Sequence, residues 1–102
     1  KKLSSSKYPT LYYKGNHMEI GVDLNAPAFQ PKSMFKNTGN KTITWAGVRI
    51  GDSRATVESK LKKHGYADKM NDVYQIWSGG QFICKFKNNK LVSYEYIEYY
   101  TS

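Results

Sequence analysis

Apolar and polar side chains alternate through the second half of the chain. Phe82, Cys84 and Phe86 recur at every second position, and Val92, Tyr94 and Tyr96 repeat the pattern shortly after. A strand sends successive side chains to opposite faces, so each run predicts a strand with one buried side. Three strands are expected, Val73 to Trp77, Gln81 to Lys87 and Leu91 to Tyr100. Ser78-Gly79-Gly80 and Asn88-Asn89 would join them as an antiparallel meander. On the last strand Val92, Tyr94 and Tyr96 take the core side, and Ser93, Glu95 and Ile97 the other.

One segment has a helical period instead. Val57, Leu61 and His64 fall at i, i+4 and i+7 and predict a single buried stripe, while Glu58, Lys60, Lys62 and Lys63 lie elsewhere. Asp52 or Ser53 can cap its start, and Gly65 can end it in the left-handed conformation. The helix is therefore placed at 53–64, after a short strand from Thr42 to Trp45.

In the first half, Leu11 to Lys14 and His17 to Leu24 read as two strands around a Gly15-Asn16 turn, with Met18, Ile20 and Val22 on one side. Residues 1–7 resemble the tail of a helix running into a loop, which Pro9 stops. From Asn25 to Lys41, Pro27, Pro31 and Gly39 interrupt the pattern and no apolar period is sustained. That stretch reads as a long connection tacked to the core by Phe29, Met34 and Phe35.

Tyr13 to Val22 can be laid over Trp77 to Phe86 at a constant offset (77 − 13 = 64), each segment being an aromatic, a turn and an alternating strand. Such repetition suggests one supersecondary unit used twice. The expected fold is α+β: an antiparallel meander sheet with one main helix packed on one face, as a partial tandem repeat. Residues 1–40 would form a truncated first repeat, the 11–24 hairpin plus connection. Residues 41–102 would form a complete one, with strand, helix 53–64 and three-stranded meander.

Composition narrows the function. Sixteen Lys and Arg against eight Asp and Glu give a formal charge of +8, which attracts polyanions such as an anionic cell-wall polymer. Fourteen of the sixteen are lysine. With only Arg49 and Arg54 to form bidentate contacts, a dedicated nucleic-acid reader is disfavoured. Lys60, Lys62, Lys63 and Lys69 are the one dense cluster, which a solvated helix face also explains. The single cysteine, Cys84, excludes an internal disulfide and a multi-cysteine metal site, and reads as a buried apolar residue. No transmembrane stretch is present, and no cofactor is expected.

The sequence shows no nucleophile elbow, phosphate loop or metal-ligand spacing, so an enzyme is not expected. The catalytic alternative is a small basic ribonuclease using His17, Glu19, His64 and Arg49 for acid–base work and charge stabilisation. The reading preferred here is a binding face. With the alternating apolar positions under the helix, the opposite face would present Tyr13, His17, Glu19, Gln75, Trp77, Gln81, Ile83, Lys85, Ile97 and Tyr99. Exposed aromatics with few charges suit a protein interface, and a second copy of the chain is an alternative occupant.

Gly47-Val48-Arg49-Ile50-Gly51-Asp52-Ser53, the helix with Val57 and Leu61, and the run Phe82 to Val92 together resemble the β-lactamase-inhibitor-protein-like fold, shared with the SmpA/OmlA (BamE-like) lipoprotein domains. The likeness covers about residues 43 to 98. It implies helices on one face of a curved antiparallel sheet, export or lipid anchoring in a bacterium, and action by protein binding. The inhibitor's repeats carry disulfides that one cysteine cannot form, so β-lactamase inhibition is assigned to no residue. The Lys-rich and Tyr-rich composition is closer to a Gram-positive surface domain, extracellular or in the cell envelope.

Overall fold

The computed structural model describes residues 8–27, 30–76 and 79–99. Seven strands and one helix follow in the order β1 (Leu11–Gly15), β2 (Met18–Val22), β3 (Pro31–Asn37), α1 (Arg54–His64), β4 (Tyr66–Met70), β5 (Val73–Ile76), β6 (Gly80–Lys87) and β7 (Lys90–Tyr99). All seven strands join one sheet in the spatial order β1-β2-β3-β7-β6-β5-β4, with every pairing antiparallel. The chain is an α+β domain.

Asparagine closes the hairpins. Asn16 and His17 between β1 and β2, Asn71 between β4 and β5, and Asn88 and Asn89 between β6 and β7 all have positive φ. A two-residue turn that matches strand twist requires that backbone, and asparagine tolerates it better than most residues. The first turn is thus Asn16-His17 rather than Gly15-Asn16, and Gly15 is the last residue of β1.

Ser53 caps α1, its hydroxyl accepting the Thr56 N–H at 3.2 Å, and Gly65 ends it at φ 106°, its N–H donating to the Leu61 carbonyl at 2.8 Å. Val57 and Leu61 are fully buried. Burial of side chains of this size is worth roughly 1.5–3 kcal/mol each. They pack with Tyr74, Ile76, Phe82, Cys84, Leu91, Tyr94 and Tyr96 in one core, against which Trp45, Phe35, Tyr66 and Phe86 are half-buried. His64 is exposed instead of completing the stripe, its ring lying 4.7 Å from that of Trp45. Trp45 stacks on Phe82 and Tyr96 at 5.0 and 4.3 Å and roofs the middle of the sheet.

Four expectations are corrected. The stretch from Asn25 to Lys41 contains β3, which pairs with both β2 and β7. Both its sides carry apolar residues, Phe35 on one and Met34 on the other, and this masked the alternation. The strand expected from Thr42 to Trp45 is irregular, with Trp45 bridging only to Val48 across the Ala46-Gly47 turn. A further strand not expected, β4, follows the helix directly after Gly65. Val92 is 37% exposed and Leu91 is buried in its place. Lys85 pairs with Ser93 but Phe86 with Leu91, so Val92 is the extra residue of a β-bulge, which resets the alternation.

Cross-strand partners share a face, so register sorts the side chains. Tyr13, Ile20, Phe35, Tyr96, Phe82 and Tyr74 form one continuous row on the α1 side. Met18, Ile20 and Val22 lie on that side as expected, yet they stand outside the core under α1 and are partly exposed. Tyr13 lies within β1, and Trp77, laid over it in the sequence, lies outside the described residues.

Candidate protein-binding face

The face turned away from α1 is built from the alternate positions of the same strands. One row runs Lys14, Glu19, Lys36, Glu95, Ile83 and Val73 from β1 to β5, and the next runs Tyr12, Gly21, Met34, Ile97, Gln81 and Gln75. Of the residues expected on this face, Glu19, Gln75, Gln81, Ile83, Lys85 and Ile97 occupy it, with Tyr99 at its end opposite Pro31. Tyr13 does not. Its partner is Ile20, so it stands on the α1 side, because the two-residue turn sets odd positions of β1 opposite even positions of β2. His17 sits in the turn at φ 59°, at the rim, and Trp77 lies outside the described residues.

Tyr8 covers part of the face. It is buried, and its ring fills the space that a side chain at Gly21 would need. Met34, the cross-strand partner of Gly21, is buried too. Burial, with the carboxylates of Glu95 and Glu19, raises the Tyr8 hydroxyl above its ordinary value. The open part therefore consists of Ile83, Ile97, Gln81, Gln75 and Lys85 on β5 to β7, bordered by the charged row.

Two depressions mark that border. One of about 400 Å³ is lined by Lys14, His17, Met18, Glu19, Lys36 and Thr38, and one of about 200 Å³ by Lys36, Ile83, Lys85, Ser93 and Glu95 among others. Lys36 lines both, and sequence reasoning missed it, while Glu95 was placed on this side but not among the binding residues. The signal was present as Lys32, Met34 and Lys36 alternating with Ser33, Phe35 and Asn37. Tyr12 donates its hydroxyl to Glu19, whose carboxylate raises the phenol further.

The chemistry proposed for a ribonuclease is dispersed. His17 and Glu19 share the larger depression, but His64 packs on Trp45 on the α1 side, and Arg49 lies before α1, its N–H donating to Asp52 at 3.0 Å. The lysine cluster is partly neutralised, with Lys60 on Asp52 at 2.7 Å and Lys69 on Glu58 at 2.6 Å. Hydrogen bonding from Lys69 lowers the Glu58 carboxyl below its usual range. Cys84 is buried, and burial reinforced by the Asp72 carboxylate pushes its thiol up to about 12. A thiol so shifted is a poor nucleophile at neutral pH. Among the described residues no group of three His, Cys, Asp or Glu could hold a metal ion, and no helix is long and apolar enough to cross a membrane.

Compared with protein-family models, curated proteins and solved structures, the chain matches none.

Proposed function

We propose that this chain is a non-catalytic protein-binding domain of an exported or surface-anchored bacterial protein, and that it binds through the sheet face turned away from α1. One observation carries the reading: Ile83, Ile97, Gln81 and Gln75 form an open apolar and amide patch beside the alternating row Lys14, Glu19, Lys36, Glu95. Opposite charges in alternation leave the row with little net charge but a specific pattern. That arrangement selects a partner with the complementary pattern, and it repels part of any uniform polyanion. The bacterial envelope setting and the inhibitor-like assignment rest on the sequence resemblance.

The repeat reading belongs here also. The order β1-β2-β3 followed by β7-β6-β5 is that of two three-stranded meanders meeting at β3 and β7, which supports one unit used twice. An anionic wall polymer is the second reading, favoured by Lys14, Lys36 and Lys85 on the same face.

A photo-crosslinking residue at Gln81 tests the proposal against envelope proteins of the source cell. A discrete protein adduct is expected that persists from about 0.05 to 0.5 M salt and is lost in the double variant Ile83→Asp with Ile97→Asp. Affinity that collapses over that salt range would favour the polymer. Absence of any adduct at Gln81 would sink the binding face.

A further inference from the structure

Lys14, Glu19 and Lys36 are cross-strand neighbours on three adjacent strands, so Glu19 stands between two lysines. It pairs with neither. Its carboxylate accepts the Tyr12 hydroxyl, which reaches it from the next row, and among the described residues neither Lys14 nor Lys36 is in an ion pair. Both lysines line the depression of about 400 Å³ beside the β1–β2 turn, together with His17 and Thr38. We infer that this depression binds a single carboxylate, carried by an acidic side chain of the protein partner. The site deepens the protein-binding reading, and the source of the carboxylate rests on it.

Charge selects the ligand. Two lysines against one glutamate leave one positive charge uncompensated, histidine being counted as neutral, and a monoanion balances it. Lys36 is half-buried, so less side-chain entropy is lost when its ammonium takes a partner, and a carboxylate there accepts charge-assisted hydrogen bonds. A polymer of phosphodiesters fits less well. Glu95 follows Lys36 in the same row and repels a second negative charge beside the first.

The walls stand before any ligand arrives. Thr38 donates its N–H and its hydroxyl to the His17 carbonyl at 2.8 and 3.2 Å, and the Asn40 side chain donates to the Asn16 carbonyl at 3.0 Å. These bonds fasten the β1–β2 turn to the chain leaving β3, where buried Asn37 accepts the N–H groups of Gly39 and Asn40. A preformed site loses less free energy to ordering on binding. Tyr12 contributes by holding Glu19 off the lysines.

The probe is N-acetylglutamate α-methylamide, which carries one carboxylate, titrated into the intact 102-residue chain at about 0.05 M salt with amide chemical shifts recorded. Shifts concentrated at Lys14, His17, Lys36 and Thr38 are expected, and none with the glutamine counterpart. Lys36→Gln should weaken binding at least about fivefold, as loss of a charged hydrogen-bond partner does, and Lys36→Arg should retain most of it. Lys14→Gln, at an exposed site, should act in the same direction and decides the matter if Lys36→Gln disturbs the sheet. Tyr12→Phe frees Glu19 to compete for the lysines and should weaken binding too, an effect that a merely basic surface would not show. Lys85→Gln, on the same face but outside this depression, should change nothing. The inference is overturned by absence of shifts or by shifts spread over the lysines of α1. Dimethyl phosphate binding as tightly as the glutamate compound would also overturn it and give the depression to a polymer. A Gln81 adduct that Lys14→Gln and Lys36→Gln leave undiminished overturns this site and keeps the wider face. Probe binding without any adduct removes the wider face and keeps the carboxylate site.

Discussion

Asn37 shows what a single residue contributes. It is fully buried, yet its amide is satisfied by the end of its own strand and by a neighbour 57 residues away. The side-chain oxygen accepts the N–H groups of Gly39 and Asn40 at 2.9 and 2.7 Å. The nitrogen donates to the Asn40 carbonyl at 2.9 Å and to the Tyr94 hydroxyl at 3.3 Å. All four bonding positions of the amide are used, so the residue turns the chain out of β3 and fixes it to β7. Asn37→Ala leaves buried partners unsatisfied and is expected to cost about 1–3 kcal/mol in urea unfolding. A loss below about 0.5 kcal/mol, the range of ordinary surface substitutions, would show that water replaces the amide there. No sequence pattern announces this role, because Asn37 reads as a turn former until Tyr94 is brought against it.

At the scale of an element, α1 was legible because its signals are local. The caps Ser53 and Gly65 and the spacing of Val57 and Leu61 all lie within one short stretch. Its fastening to the loop before it is local too, through Lys60 and Asp52. Burial alone would raise the Asp52 carboxyl, but the Lys60 ammonium and the Arg49 N–H outweigh it and hold the group below its ordinary value. The folded state then binds this proton less readily than the unfolded chain. The pair's contribution is full above about pH 4 and fades as pH falls through the depressed folded-state value. Denaturation midpoints measured from pH 6 downward should fall less steeply over that window in Asp52→Asn. If the two acid limbs superimpose, the pair carries no linkage. β3 was not legible as a strand, because apolar Phe35 on one side and Met34 on the other leave it without a single apolar face.

For the whole molecule, the decisive quantity is how much apolar surface the sheet leaves open on each side. A sheet with one helix buries half of one face, and a charge of +8 keeps copies apart. Light scattering after size exclusion should therefore give a monomer at about 0.05 M salt, where that repulsion is little screened. A dimer that survives high salt would mean that two copies bury a face between them. Leu11→Asp and Ile83→Asp, on opposite sides, would then tell which.

By itself the sequence determined the helix and its caps, the Asn88-Asn89 turn, the β6 alternation and most of the face opposite α1, since each depends on residues a few positions apart. The tertiary structure decided where Tyr13 points, that Leu91 replaces Val92 in the core, that β3 links the two meanders and that Tyr8 closes over Gly21. Those outcomes depend on register, on a bulge and on contacts between distant segments. One inserted residue exchanges the faces of everything beyond it, and no local pattern records that insertion.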